Sequence, residues 1–170
     1  MAAARFTIYV APRRGRPGRP FPLDGEVEDD AHFGWRMLAA NNREVARSPA
    51  VFDDVSACAE AVLRLRGGYA EAVVLSSRAG RAEWSWRLRL YGLDTAVSSR
   101  AYQRRLQCEA ACALFLELVP EADVAEIYKI GHLVSKRRNR TSGGVVRTGY
   151  GAPRISPDRL ASPAAAPPRG

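Results

Sequence analysis

Cysteine and histidine are scarce in this chain, and their scarcity excludes most metal and nucleophile chemistry. Three cysteines (Cys58, Cys108 and Cys112) among 170 residues are too few for a disulfide framework. Two histidines, His32 and His132, leave no plausible Ser-His-Asp or Cys-His pairing. Cys108 and Cys112 sit four apart, a spacing that can share a metal. A closed site needs about four ligands, however, and no further set is at hand. The same spacing completes an apolar helical stripe, so all three cysteines read as core. Glycine pairs 67–68 and 143–144 lack the partners of a phosphate-cradling loop. The acid pairs Asp29-Asp30 and Asp53-Asp54 fall in loops or near a helix start, and Asp53 and Asp54 suit a helix dipole better than glycosidic acid-base work. No catalytic residue, metal ligand or cofactor is therefore expected, and the chain does not read as an enzyme.

Long apolar runs are also missing. No stretch approaches the ~18–20 residues needed to span a bilayer, so no membrane partner is expected. Met1 to Phe6 has no extended apolar segment, which leads to the expectation of no signal peptide and a reduced, cytoplasmic setting.

Charge is present but unevenly placed. The formal net charge is +8. Residues 131–170 hold eight Lys or Arg and one acid, giving +7, so residues 1–130 carry only 18 bases against 17 acids. The globular part is nearly neutral and the end is basic. From Gly131 onward Ser, Gly, Pro and Arg dominate, and 131–170 reads as a basic disordered tail. Residues 1–130 are read as the folded domain.

Within that domain the sequence returns on itself. Phe33-Gly34-Trp35-Arg36-Met37-Leu38 has its echo in Trp84-Ser85-Trp86-Arg87-Leu88-Arg89. Cys58, Ala61, Val62 and Leu65 have counterparts fifty positions later in Cys108, Ala111, Cys112 and Phe115. A repeat of this size points to one supersecondary unit used twice, each copy too small to bury its own apolar face. Phe6 to Val10 reads as a strand. Ala11 to Ala31 reads as a long loop, since prolines at 17, 20 and 22 preclude helix and central strand. Phe33, Trp35 and Met37 alternate inward, Asn41-Asn42 makes a turn, and Glu44 to Ser48 returns. Ser56 is a candidate cap for a helix closed by Gly67-Gly68, with Tyr69 to Ser77 a further strand. The second copy runs through Trp84 to Leu90, a turn at Gly92 to Asp94, a return at Thr95 to Ser99, a helix closed by Pro120, and a last strand at Ala125 to Ile130.

The quoted segments, together with Ser48-Pro-Ala-Val-Phe52 and Ser99-Arg-Ala-Tyr102, resemble the YegP-like family of small bacterial proteins. The resemblance spans roughly residues 5 to 130. It implies tandem pseudo-symmetric β-β-β-α-β repeats (first copy about 5–77, second about 70–130) sharing one antiparallel sheet, with two helices on one face and exchanged C-terminal strands. Two departures stand out. The family's Asn-Gly turn is Asn41-Asn42 in the first copy and is lost at Gly92-Leu93-Asp94, and the first hairpin loop is lengthened at 11–31. The family offers no established activity to carry over. The predicted α+β fold places Trp35, Trp86, Leu88, Val62, Phe115 and Ile127 in the core.

Binding, then, is the expected function, with an unknown ligand and with the open sheet face or the 11–31 loop as contact surface. Arg36, Arg87 and Arg89 should point away from the helices, displaying guanidinium groups side by side. Against a phosphate-binding role stands pairing with acids such as Glu44, Glu71 and Glu83. A second candidate is sequence-independent nucleic-acid association through Lys136, Arg137, Arg138 and Arg140. Arg14 to Pro20 has the look of a proline-rich peptide ligand, which this composition also produces without selection. The chain is expected to be a monomer or a strand-swapped homodimer.

Overall fold

The computed structural model describes residues 3–12, 18–22, 30–80 and 82–130. The expected disordered tail, with Lys136, Arg137, Arg138, Arg140 and His132, lies outside the described residues.

Arg5–Val10 forms β1, rich in the branched and aromatic residues that suit a pleated surface. Phe33–Leu38 (β3) and Glu44–Arg47 (β4) make a hairpin whose tip holds Asn42 at φ 62°. Among the described residues between β1 and β3, Arg19–Pro20 forms a two-residue strand (β2) at the sheet edge. Edge placement is where a proline is tolerated, as its missing donor faces no neighbour. Helix α1 runs Val55–Gly68. Its N-cap is Asp54 rather than Ser56: the carboxylate accepts from the Ser56 N–H at 2.8 Å. A single 3₁₀ turn, Tyr69–Glu71, continues past the two glycines.

Three further strands and a second helix follow. Val73–Ala79 (β5), Glu83–Leu90 (β6) and Leu93–Ser98 (β7) lead into α2, Arg105–Leu118. The expected turn at Gly92 to Asp94 is displaced. Leu90 pairs with Leu93, leaving Tyr91-Gly92 as a two-residue connection with φ of 52° and 82°. Positive φ at both positions is the hairpin geometry that matches strand twist. The turn is thus kept, with tyrosine in the place where asparagine would be cheaper.

Segment 125–130 corrects a larger expectation. It is helical (α3), not a strand. Asp123 accepts from the Ala125 N–H at 2.7 Å, and Val124, Ile127 and Ile130 are buried at three-residue intervals. Asp123-x-x-Glu126 is a helix-start pattern that outweighs the β-propensity of Ile127 and Tyr128. The strand expected to return to the first copy shrinks to one parallel bridge, Arg5 with Asp123.

All seven strands form one antiparallel sheet in the order β2-β1-β3-β4-β7-β6-β5. Helices α1, α2 and α3 contribute to one continuous core that includes Trp35, Met37, Ala46, Trp86, Leu88 and Ala96 from the strands. The fold is therefore α+β with one shared sheet. Trp35, Trp86, Leu88, Val62, Phe115 and Ile127 are all buried, as their alternation and helical spacing require. Trp86 stacks on Phe115 at 5.0 Å between ring centroids, and Phe6 meets Trp35 edge-on at 5.5 Å. Truncating either tryptophan to alanine would cost about 3–5 kcal/mol.

Candidate functional site

In an antiparallel pair, residues directly opposite each other point to the same face. Registers across six strands therefore define one row on the face opposite the helices: Thr7, Arg36, Arg47, Val97, Arg87 and Leu75. Neighbours in the row stand about 4.8 Å apart. Arg89 lies beside it, opposite Asp94 and Val73. The sequence reading placed Arg36 and Arg87 side by side; the sheet order separates them. β4 and β7 come between them, and Arg47 fills much of the gap. Sequence reading passed over Arg47, although the Asn41-Asn42 turn sets the register that puts it opposite Arg36.

Two carboxylates on this face are each shared between two arginines. Glu44 Oε1 lies 2.8 Å from Arg47 Nε, and its Oε2 lies 4.0 Å from Arg36 NH1. Asp94 Oδ1 lies 3.0 Å from Arg89 Nε, and its Oδ2 lies 3.5 Å from Arg87 NH1. The expected acid partner Glu44 is thus present, while Glu71 instead accepts from the Tyr91 hydroxyl at 2.9 Å. Arg47 is held further by the Ser99 carbonyl at 2.7 Å, and Arg36 donates to Thr7 Oγ1 at 3.4 Å. Arg87 and Arg89 rest on Asp94 alone in this network and remain substantially exposed. Two guanidinium groups against one carboxylate leave a positive surplus at Arg87, Arg89 and Asp94.

Tyr9 lies across the same face. Its ring covers Gly34, Arg36 stacks over it at 5.8 Å, and burial raises the phenol pKa above its ordinary value. Near the β1 end, Glu126 approaches Arg5, Arg36 and Lys129 and accepts from the Ile8 N–H; burial still raises its carboxyl pKa.

Elsewhere the chemistry is structural. Cys58, Cys108 and Cys112 are unpaired and buried. Burial pushes the Cys58 thiol far above the usual range and the Cys112 thiol up to about 11, which disfavours the reactive thiolate. His32 sits at the surface with Nδ1 3.0 Å from Asp53, remote in role from any cysteine. No group of three potential metal ligands occurs among the described residues. No helix among them is long and apolar enough to cross a membrane. Comparison with family models, curated proteins and solved structures finds no match to this chain.

Proposed function

We propose that this protein is a non-enzymatic binding module whose open sheet face receives an anionic ligand, with Arg87 and Arg89 as its principal contacts. One observation carries the reading: Arg87 and Arg89 share the single carboxylate of Asp94 and stay about half exposed, so guanidinium donors remain for a ligand. A guanidinium has five N–H donors in a rigid fork suited to phosphate or carboxylate. Arg36 and Arg47 shape the floor, while the less restrained Arg87 and Arg89 are free to turn toward a ligand. Kinship with the YegP-like family belongs to the same proposal. Support comes from matching features of the two halves: bridges Phe33–Phe52 and Trp84–Tyr102, and register shifts after Met37 and after Leu88.

The test is retention of the full chain on heparin and on a single-stranded oligonucleotide across a salt series. Arg87→Ala with Arg89→Ala should weaken binding to both and flatten the salt dependence. Asp94→Asn should strengthen it. Unchanged retention in the double arginine variant would reject the sheet face as the contact.

A second reading rests on the basic run Lys136-Arg137-Arg138-Asn139-Arg140. If that segment grips nucleic acid through phosphates, replacing its four bases by alanine abolishes oligonucleotide binding while the Arg87 and Arg89 variants retain it.

A further inference from the structure

The two edges of the sheet are finished differently. At one end β1 is covered. Residues Tyr9 and Val10 pair with β2, the Ile8 carbonyl accepts from Phe21, and the Phe6 N–H donates to the Asp123 carbonyl at 2.9 Å. The Ile8 N–H is taken by Glu126. At the other end β5 pairs with β6 over seven residues without a register shift, and no described strand adjoins its outer side.

β5 also lacks the devices that usually protect an edge. It contains no proline and no bulge. Val73, Val74 and Leu75 are 58%, 40% and 37% exposed. Its single charged residue, Arg78, places its guanidinium 5.8 Å from the Trp84 ring centroid, back over its own sheet. A regular apolar edge of this length is a template for another strand.

We propose that β5 pairs antiparallel with β5 of a second copy about a two-fold axis near Ser76, joining two sheets into one. In that register no two charged residues of the strand stand opposite one another. Leu75 falls opposite Ser77 of the second copy, on the arginine face, and Val74 falls opposite Arg78, on the helix face. The two Arg78 positions lie four residues apart along the strand, about 14 Å. That exceeds the screening length of about 8 Å in physiological salt, so like charges do not oppose the pairing. A second copy also brings more than an isolated peptide strand would. Helix α2 packs on β5 and β6, so the two α2 helices lie on the same side of the joined sheet, and each carries exposed Leu106 and Leu114. The two arginine faces would then form one continuous surface.

Sedimentation equilibrium of the full chain, from micromolar to submillimolar concentration, tests this directly. The expected mass is twice that of the chain, and Leu75→Lys or Val73→Lys, both at exposed outer-face positions, should return it to one. Each variant's circular dichroism and melting curve should match the parent's. A wild-type monomer throughout, or a dimer unaffected by either lysine, overturns the proposal. Amide exchange of the unmodified protein gives a second readout needing no variant. Protection within β5 should grow with protein concentration. Concentration-independent protection, as the chain's own residues 131–170 would produce by lying on this edge, also overturns it.

Discussion

The ring of Tyr9 occupies the space that a side chain at Gly34 would need. A Cβ placed on Gly34 would sit 2.6 Å from both Cζ and the hydroxyl oxygen of Tyr9. The two residues are cross-strand partners in β1 and β3. Glycine here thus lets an aromatic ring lie flat across the sheet, beside Arg36. The cost of glycine in a strand is recovered through the ring that covers it.

Gly34→Ala should therefore destabilise the protein by roughly 1–3 kcal/mol through overpacking. Adding Tyr9→Ala should relieve part of that loss, since it empties the contested space. Urea denaturation of both single variants and the double variant measures the coupling. Additive losses would show that the clash is absorbed elsewhere.

At the β6–β7 hairpin, Tyr91 holds φ 52° and is 73% exposed. A non-glycine residue in this region costs roughly 1 kcal/mol, and asparagine tolerates it better. Tyr91→Asn should raise the melting temperature despite losing the hydrogen bond to Glu71. Tyr91→Phe, which removes only that bond, should leave it nearly unchanged.

Glu126 binds its proton more tightly in the folded protein than its ordinary value near 4.5 implies, because burial raises its pKa. The folded state then holds more protons than the unfolded chain just above that value. Its contribution to stability is full below the unfolded pKa and is lost as pH rises through the folded one. Glu126→Gln retains an acceptor for the Ile8 N–H and should remove this loss. Stability of the glutamine variant relative to wild type should increase as pH rises from the ordinary value near 4.5 through the raised folded one, and then level off. A difference independent of pH would contradict the assignment.

The cysteines should behave as core. A thiol-specific reagent near neutral pH should label the native protein very slowly and all three positions promptly after unfolding. Rapid native labelling at Cys58 would be incompatible with its burial.

Alternation and helical spacing were enough to determine the α+β class, both main helices and the tryptophan core. Trp35, Trp86, Val62 and Phe115 are each constrained by near neighbours in sequence, and burial of an apolar stripe is a local signal. The inward-outward sense of Arg36, Arg87 and Arg89 follows from the same alternation. Tertiary structure decided the rest. Whether 125–130 extends or coils depended on an Asp123 cap weighed against β-propensity, and on the core that receives Ile127 and Ile130. The inclusion of Arg47 and the sharing of Glu44 and Asp94 depended on register between strands distant in the chain. Sheet order, in which no described strand adjoins the outer side of β5 while Glu126 and β2 finish β1, arises only when strands far apart in the chain meet. Pairing of backbone groups across such separations leaves almost no trace in any short window of residues.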